Sequence, residues 1–219
     1  MPGVGNNKIL TAIHMIELHP DLLVGKGLHR DVYQHPDKPD LCLKVRVDRD
    51  RENRGPQEQA REQGYYRLLQ KRGITWDGLP QFYGNVDTNL GPAAMFDLIR
   101  DVNGDVSRTL EYYLGDAGLT EAHLNELIFE FNQLKHYLLR YNIITMSLKP
   151  KNIVFQQLSE QRWRCVIIDN IGNSDWIPLM TYVPFFGRFK IQRKWQDFER
   201  RLKRMYPYND ALLRLLRFI

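Results

Sequence analysis

Short apolar runs dominate the first half of the chain. The segment LLVGKGLHRDVYQHPDKPDLCLKVRV holds three of them, separated first by a glycine-bearing turn and then by a His-Pro, Lys-Pro turn. This pattern predicts a three-stranded meander that ends at Val47. The runs QFYGNVDT and GPAAMFDLI predict two further strands.

Helical spacing appears in three segments. The segment QEQAREQGYYRLLQKRG follows Pro56, which suits the first turn of a helix, and it predicts a helix that ends at Gly73. Apolar residues between positions 120 and 140 also have helical spacing, and Thr120 is the predicted N-cap of that helix. The tail predicts a further helix over about residues 191–202.

The order of these elements predicts an α+β fold. Strands with one interposed helix fill the first half, and helices dominate the second half, apart from a hairpin in NIVFQQLSEQRWRCVIID. The turn-rich segment RDVNGD is the natural boundary between two lobes. We therefore predict a loose extension over residues 1–20, a first lobe over 21–101 and a second lobe over 102–219 that ends in a basic tail.

The charge of the chain is concentrated in that tail. The 219 residues carry a net charge of +5. From residue 183 to the end there are ten Lys or Arg against three Asp or Glu, a net charge of +7, so the remainder carries −2. A nucleic-acid binder would have a more evenly basic surface, and we expect no nucleic-acid partner. The tail also contains aromatic residues, so it is either a solvated helix face or a docking surface for anionic lipid or a phosphorylated substrate.

Two features predict a cytoplasmic protein. Cys42 and Cys165 each lie in an apolar run, as expected for buried, reduced thiols, and no zinc-ligand spacing is present. The N-terminus lacks the pattern of a secretory signal, and no stretch reaches the ~20 apolar residues of a membrane span.

Polar residues interrupt the apolar runs of the first half in a suggestive order. Gly25 and Gly27 lie in a turn where backbone N–H groups can approach an anion. Lys44 lies inside LCLKVRV, where it is either a buried functional lysine or an edge-strand lysine that faces water. Glu62 and Glu58, on the following helix, are the two candidate partners for Lys44, and their spacing alone does not decide between them.

The second half contributes a second set of polar residues. Lys149 and Asn152 lie in the turn of YNIITMSLKPKNIVF, and Asp169 follows the apolar run of CVIID. An amide oxygen and a carboxylate suit a hard cation that bridges nucleotide phosphates. Each segment alone is compatible with an ordinary charged turn, but their order along the chain points to one site.

Three separated motifs resemble the YrbL family of PhoP regulatory network proteins, within the protein-kinase-like superfamily. They are VGKGLHRDVYQHP, TMSLKPKNI and IIDNIGNSDWIPL. The resemblance covers about residues 22–179. It implies a bilobal protein-kinase-like fold, with a small antiparallel β-rich first lobe that includes one helix, and a reduced, mainly helical second lobe. It also implies ATP and Mg²⁺ as cofactors.

The resemblance assigns a role to each candidate residue. Lys44 takes the place of the phosphate-binding lysine and Glu62 that of its helix partner, while the turn with Gly25 and Gly27 covers the nucleotide. Metal ligands are implied at two oxygen-bearing residues, Asn152 and Asp169. The lysine that neutralises the transferred phosphoryl group is implied at position 149.

The chain departs from the kinase pattern at its catalytic loop. Ser147 stands where the catalytic aspartate would stand, and a hydroxyl has neither the charge nor the pKa of a general base. This departure favours a regulatory nucleotide-binding protein with weak or altered phosphotransfer. The alternative is an active phosphotransferase for a small molecule or a lipid-linked sugar. The acceptor would be a protein or an anionic small molecule, and an anionic membrane surface is a candidate partner of the tail.

Overall fold

The first half of the chain forms a five-stranded antiparallel sheet. The computed structural model describes residues 15–47, 55–172 and 184–219. The strand order in the sheet is β1-β2-β3-β5-β4, and both predicted groups of strands are confirmed. The strands are β1 (Leu23–Lys26), β2 (Arg30–Gln34), β3 (Leu41–Arg46), β4 (Phe82–Thr88) and β5 (Gly91–Asp97).

Helices and one hairpin make up the rest. The predicted α+β class is confirmed, and so is the hairpin, in which β6 pairs with β7. Short 3₁₀ turns cover Pro20–Leu22 and Pro150–Asn152. The remaining elements are α1 (Gly55–Lys71), α2 (Leu110–Leu114), α3 (Ala117–Ala122), α4 (Leu124–Tyr141), β6 (Ile153–Gln157), β7 (Trp163–Ile167), α5 (Pro184–Met205) and α6 (Asp210–Leu215).

The helix predicted over residues 120–140 is interrupted. Thr120 is not its N-cap, because Thr120 lies inside the short helix α3, which Asp116 caps by accepting a hydrogen bond from the backbone N–H of Leu119. The Thr120 hydroxyl is buried and donates to the carbonyl of Tyr113 at 2.8 Å. A new helix, α4, begins at Leu124.

The segment predicted as a loose extension is anchored at its last residues. Ile16 forms a β-bridge with Thr88, and Leu18 is 3% exposed. The side chain of Asn89 binds both the N–H and the carbonyl of Leu18. Residues 1–14 lie outside the described part of the chain.

A continuous apolar core joins one face of the sheet to the helices. Tyr65 and Tyr66 of α1 are buried in it, as their place in the helical pattern predicts. The two cysteines are buried and unpaired, which confirms the prediction of reduced thiols. No helix in the described part of the chain is both long and apolar enough to cross a membrane.

Candidate functional site

Lys44 lies at the centre of the sheet and not at its edge. It belongs to β3, between β2 and β5, and its side chain is 6% exposed. The Lys44 ammonium donates a hydrogen bond to the carbonyl of Ile168 at 2.6 Å and lies 4.5 Å from the centroid of the Phe96 ring. The lysine therefore points across the core towards the residue that precedes Asp169.

Arg30 connects the sheet, the helix α1 and the segment after β7. Its guanidinium forms an ion pair with the carboxylate of Glu62 and a second one, at 2.5 Å, with that of Asp169. Glu62 is almost fully buried at 2% exposure, whereas the side chain of Asp169 is 39% exposed. One guanidinium thus holds together two carboxylates that are far apart in the sequence.

This cluster controls the charge of its members. Partial burial alone would raise the pKa of Asp169, but the positive charges of Lys44 and Arg30 outweigh it and lower that pKa. Burial alone would likewise lower the pKa of Arg30, but the facing carboxylates of Glu62 and Asp169 raise it. Asp169 is therefore an anion at neutral pH, and its charge is paired with that of Arg30.

Two buried polar atoms in the same region have no hydrogen-bond partner among the described residues. They are Oε1 of Glu62 and the hydroxyl of Tyr66. Both residues are at most 2% exposed. Buried polar atoms are normally hydrogen-bonded, so these two atoms are exceptions within the cluster.

Asn152 lies beside the Asp169 segment. The backbone N–H of Ile168 donates to the Asn152 carbonyl at 2.9 Å, and Ile153 pairs with Ile167 in the hairpin. The structure thus brings the two predicted metal ligands to the same end of the hairpin. An amide oxygen and an ionised carboxylate are a suitable partial donor set for Mg²⁺, which also takes phosphate and water oxygens. Across the described ranges, this site included, no group of three or more His, Cys, Asp or Glu could hold a metal.

Ser147 and Lys149 lie in the loop that precedes the hairpin. Ser147 is half-buried, and its hydroxyl accepts a 3.4 Å hydrogen bond from the side-chain amide of Asn170. Asn170 has a left-handed backbone with φ of +63°, and its carbonyl accepts a hydrogen bond from the N–H of Met146. Lys149 is half-buried and forms no ion pair within the described residues.

The glycine turn lies next to the cluster. Gly25 is in β1 and Gly27 directly follows it. The Gly27 N–H donates to the carbonyl of Arg30 at 2.8 Å, and a Cβ at position 27 would lie only 2.6 Å from that oxygen. Position 27 therefore needs glycine so that the turn can hold Arg30 at the start of β2.

The predicted pairing of Glu62 is wrong in one respect. Glu62 points into the site, but it pairs with Arg30 and forms no ion pair with Lys44. The side chain of Glu58, the other candidate, lies outside the described residues. Arg30 is the site residue that sequence reasoning missed. The structure places Arg30 on the same face of the sheet as Lys44, because Val32 pairs with Lys44 and residues i and i+2 of a strand share one face.

A separate cavity of about 720 Å³ lies between α4, β7 and the loop after α1. It contains none of the predicted site residues. Its lining combines charged side chains such as Glu130 and Arg164 with the exposed Phe129 and the half-buried Tyr137. No buried cluster of charges like the one at Arg30 lies among its lining residues, so we place the candidate site at Arg30, Glu62 and Asp169.

Comparison with known proteins identifies the family. A sequence model described as PhoP regulatory network protein YrbL matches residues 16–203. The chain belongs to the YrbL family. It is 37% identical over 186 residues to proteins named uncharacterized protein YrbL from Escherichia coli (strain K12) and from Shigella flexneri. Each alignment covers 84% of this chain and 86% of the relative. The matched range includes every candidate site residue and nearly all of α5.

Proposed function

We propose that this YrbL protein binds ATP and Mg²⁺ at the cluster around Arg30 and regulates a partner, with weak or altered phosphotransfer. The single observation that carries the proposal is the meeting of Lys44, Glu62 and Asp169, from three distant parts of the chain, in one group of charges. Lys44 would bind nucleotide phosphate, and Asn152 and Asp169 would hold the metal. Bound Mg²⁺ would neutralise phosphate charge.

The order of elements supports a bilobal protein-kinase-like fold. The sheet β1–β5 with α1 would be the first lobe, and the helices with the β6–β7 hairpin would be the second. Protein kinases likewise have their phosphate-binding lysine on the third strand, with its glutamate partner on the next helix. The third glycine of their G-x-G-x-x-G loop corresponds to Arg30 here. We infer that this arginine binds the site carboxylates until nucleotide and metal enter.

Nucleotide binding tests the proposal directly. We expect ATP to bind in the presence of Mg²⁺, and Lys44→Met to weaken the affinity by ~10–100-fold, because a hydrogen bond to a charged group contributes ~1.5–3 kcal/mol. Titration calorimetry of the wild type, Lys44→Met and the control Lys38→Met measures this. Lys38 is exposed in the turn between β2 and β3. The same affinity in all three proteins, or no binding by the wild type, would refute the proposal.

Ser147 sets the expected catalytic behaviour. Steady-state ATP consumption by the wild type should be slow with protein acceptors, and Ser147→Asp should not produce a fast kinase. The new carboxylate would lie beside the Asn170 side chain, in a loop whose Met146 carbonyl binds Lys194 at 2.8 Å. A misplacement of about 1 Å can cost ~10²-fold in rate. Ser147→Ala is the matched control.

Two results would change this interpretation. A large gain in rate from Ser147→Asp would mean that the rest of the catalytic machinery is intact and lacks only a base. Rapid transfer by the wild type to a small anionic acceptor would support the alternative, an active phosphotransferase in which the substrate or another carboxylate supplies the base.

A further inference from the structure

The helix α5 has an outward face of unusual composition. Its inward face is buried in the core through Ile191, Trp195, Phe198 and Leu202. The residues of the opposite face recur at intervals of three and four, so they form one line along the helix. We call this line the outer stripe; all its residues are exposed, and they are Phe185, Phe189, Gln192, Arg193, Gln196, Arg200 and Lys203.

Phenylalanines crowd the N-terminal end of α5. Phe185 is 77% exposed, Phe189 is 65% exposed and Phe186, beside the stripe, is 42% exposed. The rings of Phe185 and Phe186 contact each other with centroids 5.5 Å apart. Single exposed apolar residues are common, but a group of adjacent ones marks an interaction site.

Positive charge covers the rest of the exposed surface of this helix. Asp197 is the one exposed carboxylate of α5, and it is paired with Arg200. The same helix has five exposed cations, which are Arg188, Arg193, Arg200, Lys203 and Arg204. The excess of positive charge predicted for the tail from its sequence is thus displayed towards solvent.

We propose that the outer stripe binds the surface of an anionic lipid bilayer. The phenylalanines would insert at the N-terminal end, while the cations would contact the phosphate headgroups along the remaining ~20 Å of the helix, at 1.5 Å per residue. The separation of the two residue types supports a bilayer, which has an apolar interior beneath a charged layer. A single-stranded nucleic acid would instead favour aromatic residues interleaved with the cations, since successive bases stack along the phosphate track.

Vesicle binding tests this surface independently of nucleotide binding. The full-length protein is sedimented with vesicles of phosphatidylcholine alone, or of phosphatidylcholine mixed with phosphatidylglycerol. We expect it to bind only the mixed vesicles and to bind them less tightly as salt increases, because salt screens the attraction. Equal binding to both vesicle types, or to neither, would overturn the proposal.

Two sets of variants separate the contributions. Each cation near an anionic bilayer increases affinity roughly fivefold, so the triple variant Arg193→Gln/Arg200→Gln/Lys203→Gln should bind about 100-fold more weakly. The double variant Phe185→Ser/Phe189→Ser should also bind mixed vesicles more weakly than the wild type. Its remaining affinity should still fall as salt increases, because the cations are unchanged.

Matched controls lie on other helices. Phe129→Ser on α4 removes a phenylalanine that is 60% exposed, and Arg61→Gln/Arg67→Gln/Lys71→Gln removes three exposed cations from α1. Both controls should bind mixed vesicles like the wild type. Loss of binding in the controls as large as in the α5 variants would overturn the proposal. Tighter binding to a single-stranded oligonucleotide than to mixed vesicles, lost in the α5 triple variant, would also overturn it and assign the stripe to nucleic acid.

Discussion

Replacing Arg30 by methionine is expected to lower the free energy of unfolding by about 3–5 kcal/mol. The reason is Glu62, which is 2% exposed and has Arg30 as its ion-pair partner. Methionine keeps the apolar volume of the side chain but removes the guanidinium, so a carboxylate remains buried without its counter-ion. Breaking a buried ion pair from one side typically costs this much. Urea unfolding of the two proteins measures the difference.

A double variant separates loss of the ion pair from simple loss of packing. Glu62→Gln removes the charge that needs a partner, so Arg30→Met/Glu62→Gln should be more stable than Arg30→Met alone. Arg214→Met is the matched control, because Arg214 pairs with Glu121 on the surface, where the two side chains are 50% and 53% exposed. An exposed pair of this kind contributes only ~0.2–1 kcal/mol. If Arg30→Met costs no more than Arg214→Met, Arg30 is not the counter-ion of Glu62.

Local patterns predicted the secondary structure well but not the long-range partners. Short apolar runs and turn residues were sufficient for β1–β5, and helical spacing after Pro56 was sufficient for α1, because these signals lie within a few residues of each other. Thr120 is a different case. It was predicted as a cap, but the side chain of Asn209, 89 positions away, donates to its hydroxyl at 2.8 Å. A local sequence pattern does not contain that distant contact.

The candidate site also combines residues that local patterns predict with a long-range partner that they do not. The order of Lys44, Asn152 and Asp169 along the chain indicated a common site, and the structure brings Lys44 and Asn152 to the segment that precedes Asp169. Arg30 was missed because its partners are 32 and 139 positions away and neither can be identified from a strand pattern. What distinguishes Arg30 from a surface arginine is the fold, which turns one face of β2 towards α1 and the end of the hairpin.

Replacing Asp169 by asparagine is expected to abolish most of the Mg²⁺-dependent increase in ATP affinity, a loss of about 100-fold if the charge interaction is worth ~3 kcal/mol. The pKa of Asp169 is lowered by Lys44 and Arg30 against the effect of its partial burial, so the wild-type carboxylate is ionised at neutral pH. Asparagine has the same shape but no charge. Titration with ATP in Mg²⁺ and in EDTA measures the effect.

The same experiment asks whether Arg30 and the metal share a ligand. Arg30 occupies Oδ1 of Asp169 at 2.5 Å, so Mg²⁺ bound at Asp169, as we propose, would have to displace the guanidinium or use the other oxygen. If the two compete, Arg30→Gln, measured at a temperature where it is fully folded, should need less Mg²⁺ than the wild type for half-maximal ATP binding. Asp77→Asn is the control for Asp169→Asn, because Asp77 is an exposed carboxylate outside the cluster. An Asp169→Asn protein that keeps the full Mg²⁺ dependence would place the metal on other ligands. If Arg30→Gln needs more Mg²⁺ than the wild type, the arginine helps to hold the nucleotide and does not compete with the metal.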